Sequence, residues 1–163
     1  MRQRALAFAV REELATILLA SMYNSTTVSA TREVFMAELV AGVKGEASWL
    51  ATERHSAETW GSGAVPVFST PSLVGLMESA AMFAVAGRLG EGETTVGTRI
   101  EVSHLAATPL GDLVRAEATL VSVDGRRLAF DVVAHDSRQK VAEGRHERVI
   151  VSRGRFLAKL ERR

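Results

Sequence analysis

Glu78 is the only charged residue between Pro71 and Gly87, a segment that otherwise carries Leu73, Val74, Leu76, Met77, Met82, Phe83 and Val85. A carboxylate taken out of water without partners is costly. At helical spacing Glu78 shares a face with Val74, Met77, Ala81, Met82 and Val85, so a solvent-side role does not account for it. Two accounts remain: a structural acid paired with an arginine or backbone amide, or a reacting carboxylate. His104 ends a strand-like run and has the parity of Val96, Ile100 and Val102, which turns its ring toward the same interior. A lone inward histidine is ordinarily a satisfied core residue. An inward acid and an inward imidazole together are able to exchange protons near neutrality. Thr70, just before Pro71, reads as a helix N-cap, which explains it without chemistry. The same position sets its hydroxyl at the positive end of a helix, where backbone N–H groups stabilise a developing oxyanion and a nearby base activates the hydroxyl.

Other chemistries find little support. The chain has no cysteine, which excludes a disulfide framework, a thiolate nucleophile and a thiolate metal site. His104, His135 and His146 lack tight metal-ligand spacing, no Gly-rich loop leads a strand into a helix, and His55 falls in a presumed loop. No metal site is expected. A formal charge of +1 offers no overall field for nucleic acid. The late basic residues Arg145, Arg148, Arg153, Arg155, Lys159, Arg162 and Arg163 read as a solvated rim and tail.

The elements that must position these groups follow from periodicity. Pro71 to Gly87 reads as a helix, started at Thr70, stopped at Gly87 and apolar nearly all round, hence buried. Val43 to Thr52 is compatible with a strand, and Glu53 to Gly63 with a loop. Four strand-type runs follow: Thr95 to His104, Asp112 to Val123, Arg127 to Asp136 and Lys140 to Ser152. Pro109 to Asp112, Asp124-Gly125 and Ser137 to Gln139 are expected to join them as an antiparallel meander. Val96, Ile100 and Val102, then Val114, Ala116, Ala118 and Leu120, then Leu128, Phe130 and Val132 alternate onto one apolar face. The only long apolar helix available to cover that face is Pro71 to Gly87. A sheet wrapped around a central helix is an α+β hot-dog arrangement.

At 163 residues, 47% hydrophobic and 24% charged, the chain suits one folded domain with a modest extension. Residues 1–36 read as a helical extension or linker: one helix from about Arg4 to Met22, a Ser/Thr-rich stretch from Asn24 to Thr31, and a short helix from Arg32 to Leu39 capped by Thr31. Residues 37–163 form the hot-dog domain. The apolar run Ala5 to Val10 is broken by Arg11, Glu12 and Glu13, so no export signal is expected. No window approaches the ~18 uncharged apolar residues of a membrane span. The expectation is a cytoplasmic protein that binds neither membrane nor nucleic acid.

The segments Val67-Phe68-Ser69-Thr70, Leu73 to Glu78, Gly97-Thr98 and Val102 to Pro109 together resemble the fluoroacetyl-CoA thioesterase family of hot-dog proteins. The likeness continues through Val123 to Leu128, Ala134-His135-Asp136 and His146-Glu147-Arg148, and covers most of Phe68 to Lys159. The resemblance implies that Thr70, Glu78 and His104 are the catalytic residues, and that Gly97, Arg148 and Phe68 belong to substrate binding. Gly97 would let the thioester carbonyl approach the backbone, and Arg148 would meet the CoA-bearing part. It also implies a homodimer or higher homo-oligomer with active sites at the subunit interface, with CoA present only as part of the substrate and no separate cofactor. Where family members specialised for fluoroacetyl groups carry a phenylalanine-bearing lid, this chain has Gly61-Ser62-Gly63-Ala64-Val65-Pro66, so fluoroacetate detoxification is not expected. Residues 1–36 have no counterpart in the resemblance, and Met36 offers an alternative start.

The function expected is hydrolysis of a short or small acyl-CoA thioester, with the roles of Glu78 and Thr70 as nucleophile left open. A non-catalytic acyl-CoA or small-ligand binding protein is the alternative, and hydration or dehydration of an acyl thioester is a third reading on the same scaffold.

Overall fold

The computed structural model describes residues 38–162. The helix expected over Arg4 to Met22 and the cap at Thr31 lie outside them, and Glu38 and Leu39, at the end of the second expected helix, are not helical. Five strands, β1 (Lys44–Leu50), β2 (Glu93–His104), β3 (Leu113–Asp124), β4 (Arg127–His135) and β5 (Lys140–Ser152), form one antiparallel sheet. Helix α1 (Thr70–Ala84) lies between β1 and β2 in sequence, and α2 (Arg153–Leu160) closes the chain. All five strands touch α1, β1 and β3 most extensively. This is the hot-dog arrangement.

The strand order is β1-β3-β4-β5-β2. The expected meander therefore holds only for β3, β4 and β5. The Pro109 to Asp112 turn does not close a β2–β3 hairpin; β2 pairs with β5, and β1 takes the place beside β3. Turn chemistry fixes how the backbone bends, whereas the neighbour of a strand is decided by which apolar faces must cover the helix. The β3–β4 hairpin forms as expected, with Asp124 opposite Arg127 and Gly125 at φ 55°, a left-handed conformation that glycine adopts without strain. At the β4–β5 turn Asp136 Oδ1 accepts the N–H groups of Arg138 and Gln139, both at 2.9 Å.

The core is made by the alternation. Val114, Ala116, Ala118 and Leu120 from β3 and Leu128, Phe130, Val132 and Ala134 from β4 are buried against Leu73, Leu76, Met77, Ala80, Ala81 and Ala84 of α1. Burial of each leucine contributes about 2 kcal/mol. Gly45 lets β1 run close to α1, since a Cβ there would meet the Ala80 carbonyl and the Ala84 N–H. The helix is not buried all round as expected: Met82 is 45% and Phe83 51% exposed. It also ends at Ala84 rather than at Gly87, which turns at φ 72° beyond the helix. The basic tail, expected to be solvated, is exposed but helical, with no fully buried residue in α2. Among the described residues no helix is long and apolar enough to cross a membrane.

Candidate active site

Thr70 and His104 are brought together by backbone bonds around them. The Phe68 N–H donates to the Thr108 carbonyl at 2.9 Å, which ties the start of α1 to the loop that leaves β2. The His55 carbonyl accepts the Ser69 N–H at 2.9 Å and the Ser72 hydroxyl at 3.2 Å. His55, which carried no signal in the sequence, is thus a strut for the helix start, buried and stacked on Trp49 with ring centroids 5.3 Å apart. The N-cap is Ser69 rather than Thr70: Ser69 Oγ accepts the Ser72 N–H at 3.2 Å and Ser69 O the Leu73 N–H at 2.9 Å. Capping therefore does not occupy Thr70. Its hydroxyl lies 2.9 Å from His104 Nδ1, and both side chains are exposed.

Glu78 does not meet His104 within the chain, contrary to the sequence expectation. Its Oε1 lies 3.5 Å from His146 Nε2 and 3.8 Å from Arg148 Nη1, and its side chain is 41% exposed rather than buried. His104 does face inward as parity predicts, but it lies further along β2 than Gly97, the residue beside Glu78; parity fails only for Val96, because the strand carries a β-bulge between Gly97 and Arg99. Directly opposed residues share a face. Thr95, Gly97, Ile100, Val102 and His104 oppose Ile150, Arg148, His146, Gly144 and Ala142 and face inward, while Val96, opposite Val149, lies on the other face. Continuing the alternation through Lys140 to Ser152 would have placed His146 and Arg148 inside; that is the signal by which His146 could have been found.

The surroundings of Glu78 are tightly made. Arg148 is buried, with Nε donating to Thr95 Oγ1 at 2.8 Å, Nη2 to the Thr95 carbonyl at 3.0 Å and Nη1 to His146 Nε2 at 3.0 Å. These bonds place it inside the sheet, next to Glu78. Burial pushes the Arg148 pKa down, and the Glu78 charge opposes that shift. The His146 ring is fully buried against Phe130, and its pKa lies below the ordinary 6.5, from burial first and the Arg148 charge in addition. Gly97 is required by this packing, because a Cβ there would overlap Glu78 Oε1 and stand 3.1 Å from His146 Cε1. Phe68, grouped with substrate binding by the resemblance, is instead a core side chain, 1% exposed and packed against His55. Among the described residues every buried side-chain nitrogen and oxygen has a hydrogen-bond partner.

The chain thus offers a hydroxyl–imidazole pair at a helix start and a carboxylate held beside a buried cation, equipment suited to acyl transfer. The sequence pattern of the fluoroacetyl-CoA-specific thioesterases matches residues 51–154. The chain belongs to that family. A fluoroacetyl-CoA thioesterase of Streptantibioticus cattleyicolor is 45% identical over 97 residues, 60% of this chain and 70% of that protein. The solved structure of the fluoroacetyl-CoA thioesterase FlK superposes with a TM-score of 0.72 at 34% identity, covering 77% of this chain and 97% of its own. A thioesterase superfamily member from Thermus thermophilus superposes with a TM-score of 0.71 at 27% identity, over 78% and 94% of the two chains. As a member of the fluoroacetyl-CoA-specific thioesterase family the protein is an acyl-CoA thioester hydrolase with a hot-dog fold, and nothing in these likenesses supports the binding-protein alternative.

Proposed function

We propose that the protein hydrolyses a short acyl-CoA thioester to the free acid and CoA at sites shared between two protomers. The observation that carries this is the separation of the two groups along one helix. Thr70 and Glu78 are 78 − 70 = 8 residues apart, which at ~1.5 Å per residue puts about 12 Å between them along α1. One thioester carbonyl does not span that distance. A two-fold related copy, packed across the open edge of β2 and the exposed stripe of α1, would bring the Thr70–His104 pair of one protomer to Glu78 of the other, twice. The unpaired edge of β2 and the exposed Met82, Phe83 and Leu105 supply a surface for that contact.

In such a site Glu78 attacks the carbonyl or activates water, and His104 moves the proton as general base and then acid. Thr70 orients the substrate or relays the proton. Gly97, beside Glu78, leaves room for the thioester at the β2 backbone, and CoA takes part only as substrate. The exposed Gly61 to Pro66 stretch has no aromatic ring, so the reading stops at a small acyl group and does not extend to fluoroacetyl selectivity. A cysteine-free chain fits a reducing cytoplasm.

Release of free CoA from a panel of acyl-CoAs tests the activity, and no release with any member overturns it. The shared site is tested by mixing subunits of Glu78→Gln and His104→Ala, each inactive alone. In a random 1:1 mixture half the dimers are hybrids with one intact site of two, so about a quarter of wild-type activity should return. No recovery would place both groups in one protomer's site.

A further inference from the structure

His146 and Arg148 contact Glu78 without the ordinary geometry of a salt bridge. His146 Nδ1 lies 2.8 Å from the Arg99 carbonyl, which only accepts, so the ring proton sits on Nδ1 and the lone pair on Nε2. That lone pair faces Arg148 Nη1 at 3.0 Å, and an arginine N–H only donates. A neutral ring with its proton on Nδ1 satisfies both contacts. A protonated ring would set Nε2–H against the guanidinium, and the opposite tautomer would set two lone pairs against each other at Arg99. The charged groups around the ring are Arg148, Glu78 and Glu147, and burial together with Arg148 keeps it neutral. With Nε and Nη2 held by Thr95, the Nη1 donor is anchored on His146, and Glu78 Oε1 is left 3.8 Å away. A direct ion pair closes to about 2.8 Å and uses the carboxylate lone pairs.

We propose that His146 is a positioning residue that holds the Arg148 guanidinium beside Glu78 but off it, so that the carboxylate has a neighbouring cation while its lone pairs stay free for substrate or water. The role rests on Glu78 reacting as set out above, but its central claim is geometric and is read without turnover. His146→Leu removes the acceptor at similar volume, and His146→Gln restores it, since its amide donates to Arg99 and accepts from Arg148. In crystals of the full chain the distance from Arg148 Nη1 to Glu78 Oε1 should shorten from 3.8 Å to about 2.8 Å in His146→Leu and stay near its original value in His146→Gln. In the hydrolysis assay His146→Leu should lower kcat on the order of tenfold with KM little changed, and His146→Gln should recover most of the loss. Nitrogen NMR of the wild-type ring, which needs no variant to fold, should show the neutral form with the proton on Nδ1.

An Nε2–H tautomer, an unshortened distance in His146→Leu, or equal kcat in the two variants would overturn the role of His146. Absence of hydrolysis by wild type would instead overturn the function, while the crystal distance and the tautomer still decide the role of His146.

Discussion

Thr70 and His104 meet through one 2.9 Å hydrogen bond where an exposed helix start touches the end of a strand, whereas Glu78 is flanked by side chains whose bonds are made inside the sheet. The first region is open and simply built, with both side chains exposed. The second is locked: His146 depends on Arg99, Arg148 on Thr95 and His146, and the absence of a side chain at Gly97 makes room for the carboxylate. The contrast teaches that the exposed hydroxyl–imidazole pair and the carboxylate beside a buried cation are assigned to different parts of the fold, and that preorganisation is concentrated around the carboxylate.

The comparison breaks most directly at its reacting groups. Glu78→Gln should reduce CoA release on the order of a thousandfold with the melting temperature little changed, and His104→Ala should fall in the same range. A Glu78→Gln enzyme with near wild-type turnover would remove the carboxylate from the chemistry. Gly97→Ala attacks the locked side alone: its methyl displaces Glu78, and a shift of about 1 Å costs on the order of a hundredfold in kcat/KM. Wild-type turnover in that variant would show that the carboxylate position is not critical.

The locked side should also reveal itself in acid. His146 and His55 both have folded pKa values below the ordinary 6.5. The unfolded chain therefore binds their protons first, so the stability they allow is full above pH 6.5 and declines as pH falls below it toward the folded values. Urea midpoints should drop between neutral pH and pH 5, and His146→Gln should flatten part of that slope; an identical slope would exclude His146 as a contributor. On stability, as distinct from turnover, the open side gives the smallest effects. Ser69→Ala should cost about 1 kcal/mol of stability through loss of the cap, while Thr70→Ala should change stability by less than about 0.5 kcal/mol and still impair hydrolysis. A larger stability loss at Thr70 than at Ser69 would restore Thr70 as the cap.

Much of this was legible before any coordinates. The limits of β5 and the 124–127 hairpin, the core alternation on β3 and β4, and the presence of a central helix all follow from residue periods of 2 and 3.6 and from turn residues, which act within a few positions. Of the three residues the sequence picks out, Thr70, Glu78 and His104, the structure joins Thr70 to His104 and sets Glu78 beside His146 instead. The inward placement of His146 was in principle legible from β5, where alternation continues through Arg148.

What the residues by themselves determined was local: which segments are strand or helix, which face is apolar, and that Glu78 stands out in an apolar helix. Tertiary structure decided that β2 pairs with β5, that a bulge turns Gly97 toward Glu78, that Ser69 frees Thr70 from capping, and that Glu78 meets His146 rather than His104. The physical reason is range. Periodicity reports a residue's relation to its own element, whereas a one-residue bulge reverses every later side chain, and a partner 68 residues away, 146 − 78, is set by how the sheet closes on the helix.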